Sequence, residues 1–127
     1  MPTIQPIISE KIPAAIGPYS AGVLANGLIF VSGQLPVDPK TGELSGEDIS
    51  ELTRQSLQNL AAVLEAAGSC LSKVVKTTVF LANLEDFPVF NQVYGEFFCG
   101  AYPARSCIQV AALPKNAPIE IEAIAVQ

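Results

Sequence analysis

Between residues 48 and 67, Ile49, Leu52, Leu57, Leu60, Leu64 and Ala67 recur at three- and four-residue spacing. Such a pattern is one apolar stripe along a helix. Asp48 and Glu51 suit its positive N-terminal end and Gly68 its stop. The period changes at 73–82, where KVVKTTVFLA is β-branched and aromatic, as in a strand. Helical spacing returns over about 86–99, with Phe87, Phe90, Tyr94 and Phe97 as the inner face. Asn83 or Asp86 caps this second helix, Pro88 sits in its first turn and Gly100 ends it. Gly95 in its interior costs about 1 kcal/mol relative to alanine, which leads us to expect close packing there. Upstream, the runs 19–25 and 28–33 flank Asn26-Gly27, the signature of a type I′ hairpin. DPKTG at 38–42 is a second turn. Strands follow over 105–112 and 119–126, separated by the turn PKNAP, and a short strand near Ile4–Ile8 is a further candidate.

The order ββ, α, β, α, ββ describes one domain over residues 1–127, built on a single sheet. Two right-handed strand–helix–strand units lay both helices on the same face of that sheet. Strand 73–82 is nevertheless apolar on both sides, with Val74 and Phe80 on one and Val75, Val79 and Leu81 on the other. Strand 119–126 likewise opposes Ile119 and Ile121 to Ile124 and Val126. A sheet apolar on both sides buries both. With no third helix to cover the second face, another subunit is expected there.

Composition narrows the chemistry. The net charge is −5, and the five lysines are scattered rather than clustered as a phosphate backbone demands, so no nucleic-acid partner is expected. Cys70, Cys99 and Cys107 are odd in number and widely spaced, which fits reduced thiols in a cytoplasmic protein. No apolar run approaches the roughly 20 residues of a membrane span, and the N-terminus lacks the pattern of a signal peptide. There is no histidine and no cysteine cluster, so no metal site is expected. Chemistry then falls to carboxylates, Tyr, Cys, Lys, Arg, backbone groups and water.

Two charged positions stand out. Arg105, one of only two arginines, sits at the mouth of the apolar strand in YPARSCIQV. A surface ion pair of little energetic weight would account for it. Glu120 and Glu122 share one face of IEIEAIAVQ. A solvated strand end accounts for Glu122, and accounts for Glu120 as well as a functional site does. If the last two strands run antiparallel about PKNAP, residue 111 is level with 120. Arg105 then lies six residues off, roughly 20 Å away at strand rise. The pair therefore meets between subunits or not at all. An arginine fork binds a carboxylate in two-pronged fashion, and a nearby glutamate positions and polarises water. Such a site selects small carboxylates and hydrolyses an electrophilic carbon beside the carboxyl group.

The run Pro103-Ala104-Arg105-Ser106-Cys107, then Leu113, then Ile119-Glu120-Ile121, resembles the signature of the RidA (YjgF) family of reactive intermediate and imine deaminases. IGPYSAG, VSGQLPVDPKTGE, KTTVFLANLEDF and IEIEAIAV are similar to that family in the same order, over nearly the whole chain. The resemblance implies an α+β, chorismate-mutase-like fold assembled as a homotrimer around a barrel-like core, with ligand clefts between subunits. It implies hydrolysis of 2-imino acids or their enamine tautomers (2-aminoacrylate, 2-iminopropanoate, 2-iminobutanoate) to 2-oxo acids and ammonia, with no cofactor. In that scheme Arg105 clamps the substrate carboxylate, and Glu120 orients the water and shuttles its proton. Tyr19 lines the cleft, Ser32 and Gly33 offer hydroxyl and backbone N–H groups, Asn91 is a polar wall, and Cys107 contributes its backbone carbonyl. Each also has a plainer reading: Tyr19 as an interface aromatic, Ser32-Gly33 as a turn, Asn91 as a solvated helix residue, Cys107 as packing. Two other functions attach to the resemblance, a non-catalytic regulatory trimer that holds small carboxylates, and a translation inhibitor or ribonuclease. The acidic charge and missing histidine rank the last of these lowest.

Overall fold

The computed structural model describes residues 4–127. Asn26 and Gly27 both take positive φ (52° and 75°) and join β2 (Gly22–Ala25) to β3 (Leu28–Gln34) as a tight hairpin. β1 (Gln5–Pro6) pairs along the outer side of β2, with Gln5 opposite Leu24. β6 (Ile119–Val126) runs antiparallel between β3 and β4 (Val74–Leu81), and β5 (Ala104–Gln109) lies parallel to β4 at the edge. The sheet order is β1-β2-β3-β6-β4-β5.

α1 (Ile49–Ala66) connects β3 to β4, and α2 (Phe87–Phe97) connects β4 to β5. The Asp48 carboxylate accepts a hydrogen bond from Glu51 N at 2.8 Å, and Gly68 leaves the helix at φ 79°. The start of α2 differs from expectation. Asn83 caps the preceding 3₁₀ turn through Glu85 N at 3.0 Å, and Asp86 makes no capping bond. Both helices cover the same face. Leu57, Leu60, Val63 and Leu64 of α1 and Phe90 of α2 are fully buried against Ile29, Val79, Leu81, Ile119 and Ile121 of the sheet. Each such side chain stabilises the fold by about 1.5–3 kcal/mol through apolar burial.

The opposite face has no cover within the chain. Phe30 and Val126, next to buried Ile29, Val31 and Ala125, are 43% and 40% exposed, and Ile108 on the edge strand is 48% exposed. Two expectations about this region need correction. Val74 does not share a side with Phe80: a bulge between Val74 and Lys76 turns Val74 inward with Val79 and Leu81, and leaves Val75 exposed. Gly95 marks no close approach, because a Cβ built there meets nothing within 4 Å. Among the described residues, no helix is long and apolar enough to cross a membrane, and no three His, Cys, Asp or Glu side chains converge as a metal site.

Candidate active site

Glu120 lies between Ile119 and Ile121, which point into the core, so its own side chain emerges on the uncovered face. There it meets an irregularity in β3, whose register with β6 shifts between Val31 and Gln34. Gly33 sits in that shift. A Cβ on Gly33 would lie 2.6 Å from Glu120 Cδ and 2.9 Å from Oε1, so the carboxylate occupies the space that any side chain would need. Burial, and next the nearby Glu122, push the Glu120 carboxyl above the usual carboxylate range.

Glu120 opens into a groove of about 770 Å³ lined also by Tyr19, Ser32, Gly33, Gln34, Lys40 and Lys115. The Ser32 hydroxyl donates to Ser20 O at 2.6 Å, which fixes it beside Tyr19 while leaving its acceptor capacity free. The wall after β3 is a loop closed by a single antiparallel bridge, Val37 to Leu44, and α1 holds it by hydrogen bonds. Ser56 Oγ donates to Gln34 O at 3.0 Å, and Asn59 Nδ2 donates to Leu35 O and Val37 O at 3.0 and 2.8 Å. Lys115 takes left-handed φ (59°) in the loop before β6 and lines the groove. Neither it nor Lys40 carried a spacing signal, since the sequence shows only that each lies in a turn.

Arg105, Asn91 and Cys107 gather elsewhere. Arg105 and Cys107 alternate on β5 toward the helical face, where Cys107 packs against the core. An Arg105 guanidinium nitrogen donates to Asn91 Oδ1 of α2 at 2.8 Å. The guanidinium carbon lies 4.8 Å from the ring centre of Tyr94, 5.4 Å from that of Phe87 and 5.6 Å from that of Phe90. Among the described residues no carboxylate comes within ion-pair distance of Arg105, the one salt bridge being Arg54–Glu96 at 2.8 Å. Burial, partly opposed by Arg105, pushes the Cys107 thiol up and disfavours a thiolate.

The two groups are separated within the protomer. Across the ladders of β4, Arg105 is level with Thr77 and Glu120 with Phe80, three residues further on. That is about 10 Å along the strands, with about 9–10 Å across two strand spacings and the sheet itself between them. The expected offset of six residues is therefore three. β5 ends at Gln109 and the connection holds a 3₁₀ turn, Pro114–Asn116, so residue 108 rather than 111 is level with 120. Arg105 and Glu120 still project from opposite faces and do not meet in one chain.

The profile of the family described as Endoribonuclease L-PSP matches residues 9–127. A Salmonella typhimurium protein named 2-iminobutanoate/2-iminopropanoate deaminase is 52% identical over 124 residues, covering 95% of this chain and 96% of that one. The RutC family protein y4sK of Sinorhizobium fredii is 52% identical over 121 residues, with coverage of 95% and 96%. The crystal structure of Escherichia coli TdcF with bound serine superposes with a TM-score of 0.92 at 45% identity, over 97% of this chain and 98% of that one. On sequence and fold together, this chain belongs to the Endoribonuclease L-PSP family, the YjgF/RidA group that its motifs resemble.

Proposed function

We propose that the chain hydrolyses 2-imino acids and their enamine tautomers at a site completed between protomers of a homotrimer. One protomer supplies Arg105, Asn91 and the Cys107 carbonyl, and its neighbour supplies Glu120, Tyr19, Ser32 and Gly33. The observation that carries this reading is an arginine held by an amide and aromatic rings, with no carboxylate in ion-pair reach among the described residues. A ligand carboxylate is the partner such a group lacks. The relatives named 2-iminobutanoate/2-iminopropanoate deaminase support the same chemistry.

With the carboxylate on Arg105, C2 of the protonated imine faces the groove. Water adds to C2 as the Glu120 carboxylate accepts its proton, which forms a tetrahedral carbinolamine. Glu120 returns that proton to nitrogen, the C–N bond breaks, and the 2-oxo acid and ammonia depart after the remaining hydroxyl proton is lost to solvent. Tyr19 and the Gly33 N–H hold the water. A protonated imine is already electrophilic, so proximity and electrostatics suffice. The setting is a reducing compartment, in keeping with three free cysteines.

The test is a serine or threonine dehydratase reaction with this protein added. Imine decay is expected to accelerate and to return to its unassisted rate with Arg105→Ala. Co-refolding Arg105→Ala chains with Glu120→Gln chains is expected to restore part of the activity, because mixed assemblies contain interfaces with both groups intact. No acceleration by the unsubstituted protein sinks the deaminase reading; no restoration sinks the shared site. A second reading, a holder of small carboxylates without turnover, is favoured by the serine bound to TdcF. It predicts unchanged imine decay with carboxylate binding intact.

A further inference from the structure

We infer that Tyr94, anchored by Thr77, is the positioning residue for Arg105: it holds the guanidinium rigid against a neutral ring, so that the charge is displayed to an incoming carboxylate rather than cancelled. The inference rests on the proposed role of Arg105. Thr77 is the cross-strand neighbour of Arg105 in the β4–β5 ladder, so the two side chains stand next to each other on one face. Thr77 Oγ1 and Tyr94 Oη are 2.7 Å apart and both residues are buried, so each hydroxyl satisfies the other. That bond pins the ring lying nearest the guanidinium. The ring is also locked between neighbouring rings, with centroids 5.4 Å from Phe90 of α2 and 4.6 Å from Phe98 just beyond its end.

The choice of a ring over an acid has a chemical consequence. A carboxylate beside Arg105 would neutralise it, and a ligand would have to displace that acid. An aromatic face offsets the cost of removing the cation from water without occupying its outward donors. Burial holds the Tyr94 phenol above its ordinary range despite the Thr77 hydrogen bond and Arg105, which both pull it down. Tyr94 therefore presents a face and not a phenolate counter-ion. Asn91, a neutral acceptor, fixes one nitrogen in the same manner.

The chain has only two arginines, so side-chain ¹⁵Nε relaxation resolves Arg105 against an internal control, Arg54, which is paired with Glu96. In the unsubstituted, ligand-free protein, the Arg105 Nε–H is expected to be ordered. Tyr94→Leu is expected to drop its order parameter below about 0.6, into the flexible range, and to leave Arg54 unchanged. Tyr94→Phe, which keeps the ring, is expected to retain most of the order. In turnover, Tyr94→Leu is expected to raise KM between about twofold and thirtyfold, the span of a cation–π contact, with kcat nearly unchanged. A mobile Arg105 in the unsubstituted protein overturns the inference without any variant, as does an Arg105 that stays ordered in Tyr94→Leu. Because the relaxation measurement needs no turnover, a protein that fails to hydrolyse imines refutes the proposed activity and still leaves Tyr94 decided.

Discussion

Arg105 stands on an edge strand and leans on a helix, whereas Glu120 stands mid-sheet and faces a register shift and two loops. The first environment is made of regular elements: ladder neighbours, one helix face and a run of rings fix a cation without neutralising it. The second is made of exceptions, namely a glycine where a Cβ would collide, a left-handed lysine and a wall borrowed from a helix by hydrogen bonds. A charge that must stay available is served by packing around its stem. In the proposed reaction the carboxylate accepts and returns a proton, and partial burial lifts its affinity for that proton.

The sharpest break in the contrast is Glu120→Gln, which keeps shape and removes the proton acceptor. It is expected to lower kcat for imine hydrolysis by about 10²–10⁴, read in the dehydratase-coupled assay, while 2-oxo acid binding at Arg105 persists. Gly33→Ala comes next. The added methyl overlaps Glu120 Cδ, and a displacement near 1 Å of a reacting group costs about 10² in rate. Steady-state kinetics should show this as lost kcat, and a crystal structure should show the carboxylate moved. An unshifted Glu120 with full activity would remove the glycine from the account.

The pH dependence separates the halves further. A carboxyl held above its ordinary range binds its proton more tightly folded than unfolded. Stability from this group is therefore present at low pH and falls as pH rises from the ordinary glutamate value through the raised one. Glu120→Gln should flatten that fall in thermal unfolding followed across acidic pH. The proposed reaction uses the carboxylate, so the acid limb of kcat/KM should lie above that of an ordinary glutamate. Glu122→Gln, which removes the neighbouring like charge, should move the limb toward lower pH; an unmoved limb leaves burial as the sole cause. The smallest effect belongs to α2. Gly95→Ala meets open space and should stabilise the chain by about 0.5–1 kcal/mol through backbone entropy, seen as a higher urea midpoint at unchanged slope.

Much of the fold was legible because local rules decided it. Asn26-Gly27 forms the expected hairpin, strand 119–126 has the expected ends, and the stripe from Ile49 to Leu64 faces the sheet. What escaped is set by single-residue irregularities. One extra residue at Val75 reverses the side of Val74, a parity that alternation cannot foresee. β5 ends at Gln109, so residues 110–112, which strand-like composition places in the strand, belong to the connection, and this halves the offset between Arg105 and Glu120. Of the candidate residues, Tyr19, Ser32, Gly33 and Glu120 converge on the groove, and Arg105, Asn91 and Cys107 converge at α2. Tyr94 was read only as core. The signal was present in the three- and four-residue spacing of Phe87, Phe90 and Tyr94, but no spacing rule says which strand cation a helix face will receive.

Ser56 and Asn59 make α1 more than a lid on the core. They are 0% and 1% exposed, and Ser56 Oγ and Asn59 Nδ2 are spent on the Gln34–Val37 backbone. A coil segment moored in this way inherits the rigidity of the helix it hangs from. Fraying of the middle of α1 would cast the wall adrift, so slow amide exchange along that helix and a well-shaped groove should come and go together.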